Sequence, residues 1–294
     1  MKKHAANSNM NPSPVLSTGI FLGIVAIVHV FYQGLVRPLA EAAIAAQGSS
    51  ATTNLWVIFK DFEQQASVSI GLFCAFLIIY KYQRIVLKEE PLFTMNYLAG
   101  FSSTPAQETT NTLIPESPEQ ANQSSEHAAP VPVQQADTSN DKLDVGKALE
   151  ELEASLYAEN SSMATWINCL RRFKNTQNVQ HASQAISESI ETLAAQLESG
   201  NSMIRYFIWA IPSIGFIGTV RGIGSALAKA EEAVAGDISG MVDKLGVAFN
   251  STLVSLLISI VLMYLLHVLN NRQDEMVINT RKNCEKHLLT RLHN

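Results

Sequence analysis

Residues 203–269 read MIRYFIWAIPSIGFIGTVRGIGSALAKAEEAVAGDISGMVDKLGVAFNSTLVSLLISIVLMYLLHVL. Two apolar runs, 203–220 and 247–269, flank a mixed polar segment. Each is near or above the about 18–20 residues that a helix needs to cross about 30 Å of hydrocarbon. Runs at 17–36 and 66–87 have the same character. Four membrane crossings and an all-α, polytopic fold are therefore expected.

Composition agrees. Of 294 residues, 47% are hydrophobic and 16% are charged, and the apolar ones are gathered into those runs. The net charge of −5 leaves no basic field for nucleic acid. Cys74, Cys169 and Cys284 are far apart and odd in number, with no CxxC or Cys/His cluster. They read as reduced structural thiols. No Gly-rich phosphate loop, metal cluster or nucleophile–base pair stands out, so neither an enzyme nor a cofactor is expected.

The segments follow in order. Residues 1–16 are polar and carry Lys2 and Lys3. Residues 17–90 form a first transmembrane hairpin. Ala40-Glu41-Ala42 is an A-x-A site, but the apolar core is long for a signal peptide, so the first span is expected to be retained. Lys81, Arg84 and Lys88 crowd the end of the second run, which places that end and the N-terminus in the cytoplasm. Residues 91–142 are rich in Pro, Gln, Ser and Thr and read as a disordered cytoplasmic linker. Residues 143–202 carry two helical stripes: Leu149, Leu152, Leu156, Met163, Ile167 and Leu170, then Ala182, Ile186, Ile190, Leu193, Leu197 and Ile204. Lys174–Asn178 separates them, so a cytoplasmic helical hairpin is predicted. Its second helix meets no strong stop and is free to run into the membrane as one rod. Residues 203–269 form the second transmembrane hairpin. Residues 270–294 form a basic cytoplasmic tail with Arg272, Arg281, Lys282, Lys286 and Arg291.

On a helix, Pro212, Gly215, Thr219 and Gly222 share one face, and Gly218 opens a GxxxG with Gly222. Glycines let another helix backbone come close in lipid. Pro212 removes one backbone hydrogen bond and shapes its helix. Thr252, Ser255 and Ser259 likewise share a face of the last span. These hydroxyls either hold helices together, each on its own i−4 carbonyl, or line a narrow polar pathway. Proton relays at depth need a carboxylate or histidine. None of the four apolar runs holds Asp or Glu, and His29 and His267 read as packed or interfacial. A proton channel would therefore need a partner chain to supply the acid. A scaffold or sensor without ion flow, its cytoplasmic helices binding a partner, is the alternative.

At these residues the chain resembles the MotA/TolQ/ExbB proton-channel family. The family pattern A-P-x-x-G-x-x-G-T-V-x-G stands here as Ile211-Pro212-Ser213-Ile214-Gly215-Phe216-Ile217-Gly218-Thr219-Val220-Arg221-Gly222, departing at Ile211. The next family element, A-L-x-T-T-A-x-G-L, is matched loosely by Ala248-Phe249-Asn250-Ser251-Thr252-Leu253-Val254-Ser255-Leu256, with Ser255 at a usual glycine. A proline common further along is replaced by Ser259-Ile260-Val261. Four crossings resemble MotA more than the three of TolQ and ExbB. The resemblance implies a pentamer in the bacterial inner membrane. It would enclose a single-span MotB/TolR/ExbD-like partner whose aspartate titrates, and proton flow would drive mechanical work. It implies that Thr219 and Thr252 line the ion pathway, with Ser255 and Ser259 continuing the hydroxylated face. Gly215, Gly218 and Gly222 would allow close helix approach.

Overall fold

The computed structural model describes residues 12–47, 51, 54–92, 95–98, 144–155, 158 and 160–293. Among them every regular element is helical. The linker expected at 91–142 falls mostly outside the described residues, as do Lys2, Lys3 and Leu156.

Helix α1 spans Pro14–Phe31. Pro14 at its first position and the Ser13 hydroxyl, which accepts from the Leu16 amide at 3.4 Å, start it. A wider turn, Tyr32–Val36, joins it to α2, Arg37–Gln47. The apolar run and the alanine-rich segment after it are thus one helical rod, Pro14–Ala46. The short α3, Leu55–Phe59, precedes α4, Phe62–Arg84.

The predicted hairpin helix after 143 is two pieces, α5 (Val145–Ala154) and α6 (Ser161–Thr176). Asn160 caps α6 by accepting from the Ser162 amide at 2.9 Å. Gln177, left-handed at φ 49°, ends it. Asn178 then caps α7, Val179–Leu227, accepting from the Gln180 amide at 2.8 Å. Its 49 residues run for about 74 Å at about 1.5 Å per residue, so the hairpin helix and the third span are one rod. After α8, Ala230–Val234, Gly236 adopts φ 107° and turns the chain into α9, Ser239–Asn283. The basic tail continues as helix, through a wide turn at Cys284–Leu289 into α10, Thr290–His293.

Among the described residues four helices are long and apolar enough to cross a membrane: Pro14–Ala46, Phe62–Leu87, Val179–Leu227 and Ser239–Leu292. Helices α7 and α9 form an antiparallel pair, α4 packs across both, and α1 packs on α4. Only 11% of the first span's most apolar stretch is buried, against 39% for the second. The first is therefore peripheral and the second central. Phe73, Cys74, Leu77, Ile204, Ile208, Ile211, Leu262 and Leu266 form the core of the spans. Both stripes of the hairpin are buried at every described position. Met163, Trp166, Ile186 and Ile190 share a second core with Cys284 and Leu288, so the C-terminal helix is part of that bundle. The three cysteines are buried and free.

One polar knot joins the two cores. The Lys81 ammonium donates to the Gly200 carbonyl at 2.6 Å and to Asn201 Oδ1 at 2.8 Å. The Asn201 amide donates in turn to Asn270 Oδ1 at 3.0 Å and Gln273 Oε1 at 2.5 Å. Every hydrogen-bonding atom of the Asn201 side chain is thereby used. The three long helices are held in register where α7 leaves the apolar layer.

Candidate ion-pathway site

The seam between α7 and α9 is made by glycine. Gly215 lies against Ser255, Gly218 against Ser251 and Gly222 against Ala248. A Cβ on Gly215 would stand 2.7 Å from the Ser255 Cβ. One on Gly222 would stand 2.6 Å from the Ala248 Cβ and 2.8 Å from its Cα. Side chains of any size would push the helices apart. Pro212 lies within the unbroken α7, one turn before Gly215.

Close approach brings two hydroxyls together. Thr219 Oγ1 and Thr252 Oγ1 are in direct hydrogen-bond contact, both half-buried. The Thr219 hydroxyl is also 3.1 Å from the Ala248 carbonyl and 3.3 Å from its own i−4 carbonyl at Gly215. The Thr252 hydroxyl reaches the same Gly215 carbonyl at 3.3 Å. Each hydroxyl has one proton to donate and two lone pairs, so only some of these bonds coexist. One threonine donates to the other, and the second donates to a carbonyl. Exchanging the two roles needs only rotation about C–O bonds. That is the chemistry of a proton-relaying or water-holding pair, not of a group that titrates near neutral pH.

Residues 134–282 match the model of the MotA/TolQ/ExbB proton channel family. The chain belongs to that family. Among curated proteins and solved structures nothing matches. This MotA/TolQ/ExbB protein therefore carries its family's region over the helical hairpin, the seam and most of the last helix.

The remaining hydroxyls of the last span are enclosed. Ser255 Oγ pairs with Ser67 Oγ of α4 at 2.9 Å, and Ser259 Oγ donates to the Ile208 carbonyl at 2.8 Å. Both serines are fully buried. The structure thus brings Thr219 and Thr252 together at a half-open edge and turns Ser255 and Ser259 into contacts between helices. Most of these bonds cross between helices; Thr219 alone of the four also reaches its own i−4 carbonyl.

Sequence reading missed the far end of α4. That helix starts four residues before the apolar run, so Glu63, Gln64 and Gln65 lie within it and are buried. Glu63 forms a two-point ion pair with Arg221 of the family motif, Oε1 to Nε at 2.7 Å and Oε2 to Nη2 at 2.8 Å. Gln65 accepts from Arg37 at 3.4 Å and lies 3.0 Å from His29 Nδ1, tying α1 and α2 to α4. A signal was present: Asp61 followed three residues later by Gln64 has the spacing of a helix start. Asp61 does stand at the N-cap of α4. His29 and His267 are exposed. Among the described residues no group of three or more His, Cys, Asp or Glu clusters as a metal site.

Proposed function

We propose that this family member is the ion-conducting subunit of an inner-membrane motor complex. The paired Thr219 and Thr252 hydroxyls at the glycine seam support this reading most directly. They can pass a proton or hold water, yet they cannot titrate, so an acid must act beside them. A single-span partner of the MotB/TolR/ExbD kind supplies that acid as an aspartate. A homo-oligomer, a pentamer by family likeness, encloses the partner helix and seats each threonine pair against it. Basic residues after the second and fourth spans favour both termini in the cytoplasm. The hairpin bundle then lies inside the cell, and residues 37–65 and 221–246 lie outside. Each proton crossing yields about 2.3 kcal/mol per 100 mV, enough for stepwise mechanical work when several act together.

The neighbouring reading frame is expected to encode a short single-span protein with an aspartate near the start of its helix. The test is co-expression with it, purification of the complex, and proton flux into proteoliposomes under an imposed gradient. Flux that needs both subunits and is impaired in the Thr219→Ala, Thr252→Ala double variant, with assembly unchanged, supports the channel. A stable complex with no flux leaves the scaffold reading, and full flux in the double variant removes the threonines from the pathway.

A further inference from the structure

Glu63 is a carboxylate of this chain with only 7% of its side chain exposed, in the first turn of α4 where the second span begins. A buried charge is costly and marks function unless packing alone explains it. The ion pair with Arg221 holds α4 to α7, which a structural clamp would also do. Three observations go beyond a clamp. Glu63 reaches the seam itself: its Cγ is 3.1 Å from where a Cβ would stand on Gly218, the residue before Thr219. The Ser251 hydroxyl of α9 crowds that same point. It is buried, as is the whole side chain of Gln64, and neither has a hydrogen-bond partner among the described residues. An apolar neighbourhood would serve a clamp better, since buried polar groups with unspent bonds destabilise. Finally, Arg221 is 53% exposed, so the pair opens towards the loops at its outer side.

We propose that Glu63 is a proton-binding residue of the pathway, loading at the Arg221 end of the seam before the Thr219–Thr252 pair. The inference rests on the channel reading above. The carboxylate accepts a proton from the loop side, becomes neutral and releases Arg221 to solvent. It then gives the proton up along the seam to the carboxylate of the single-span partner, and the ion pair re-forms. Proton and charge balance, and no redox step is involved. Arg221 on α7 pairs with it directly, and Asp61 just before α4 interacts with it and in turn with Lys60, Arg221 and Lys244 on α9. Arg37 and His29 reach the adjacent Gln65 from the first rod.

The experiment uses the complete chain with its single-span subunit in proteoliposomes. Glu63→Gln keeps the shape and the acceptor for Arg221. We expect its flux to fall about a hundredfold, as for loss of one proton-transferring group. The complex should stay the same size, the pH profile should shift, and Glu63→Asp should recover part of the flux. Wild-type flux and profile in Glu63→Gln, alongside loss in the threonine double variant, would overturn the inference and leave the channel standing. Absence of flux in the wild-type complex would overturn the channel reading itself. Should Glu63→Gln fail to assemble, the wild type still decides. A hydrophobic carbodiimide, which attacks protonated buried carboxyls, is expected to modify the Glu63 peptide and stop flux. An unmodified Glu63 peptide would refute the proposal.

Discussion

The Ser259 hydroxyl sits on the carbonyl that Pro212 leaves without a donor. In a regular helix the amide of residue 212 would donate to the Ile208 carbonyl, and proline has no such amide. Ser259 of α9 donates to it instead, at 2.8 Å. Ser259→Ala should therefore orphan a buried carbonyl and lower stability by about 0.6–1.7 kcal/mol, the range for single hydrogen bonds in membrane helices. In a Pro212→Ala background, where the backbone donor returns, the same change should cost little. A double-mutant cycle on thermal unfolding in detergent measures the coupling, and equal costs in both backgrounds would exclude this account.

The seam glycines make contrasting predictions. Gly222→Ala places a methyl against the Ala248 Cα and backbone nitrogen, at 2.8 and 2.9 Å, where nothing flexible can yield. Overpacking of this kind costs about 1–3 kcal/mol. Gly224, two residues on, meets nothing within 4 Å. Gly224→Ala should be neutral or stabilising by up to about 1 kcal/mol through helix propensity. Comparing the melting temperatures of the two variants separates close packing from a general intolerance of change in this segment.

Thr219→Val and Thr252→Val keep side-chain volume and remove the hydroxyl. Each single change should lower proton flux about tenfold, the equivalent of about one hydrogen bond. Because the two hydroxyls bond each other, the double variant should be little worse than the worse single one. Strictly multiplicative losses in reconstituted flux would show that the threonines act apart.

How much of this was readable from sequence depended on what hydropathy reports. It marks residues that face lipid, so the four spans and the glycine face at 212–222 were legible. So were the hairpin stripes, since Leu149, Ile167, Ile186 and Ile190 keep helical spacing and are buried. Hydropathy is blind to polar residues buried against other helices. Glu63, Gln64 and Gln65 fell outside the apolar run for that reason, although they lie inside α4. The last helix behaved likewise: Met276, Cys284 and Leu288 pack into the hairpin core beyond a stretch that reads as a charged tail. The different fates of Thr252 and Ser255 on one helix face depend on where α4 stands around the pair. Nothing in the local sequence encodes that.

The Lys81 knot supplies a stability test at the other end of the spans. Lys81→Met keeps the stem and removes the ammonium that donates to Gly200 and Asn201. Loss of a buried, charged donor should cost about 1.5–3 kcal/mol. Asn201→Leu should cost at least as much, because it strands Lys81, Asn270 and Gln273 together. Limited proteolysis adds a local readout: cleavage should rise in α5 and α6, whose bundle loses its anchor to the spans. Unchanged melting and cleavage in both variants would show that the knot carries no stability.

Asp61 gives a prediction in pH. It stands just before the second span, and burial pushes its carboxyl above the ordinary aspartate value. Lys60 and Arg221 oppose that shift, Glu63 adds to it, and Lys244 opposes it. For an acid raised in the fold, its contribution to stability is complete below the unfolded value of about 3.9 and is lost as pH rises through the folded value. At neutral pH the charged form therefore disfavours the fold. Asparagine caps helices as well as aspartate does and carries no charge. Asp61→Asn should accordingly melt above the wild type at pH 7, with the gap closing as pH falls through the raised folded value and gone below about 4. A gap that is independent of pH, or one that favours the wild type at pH 7, would mean that the Asp61 charge is compensated in the folded chain.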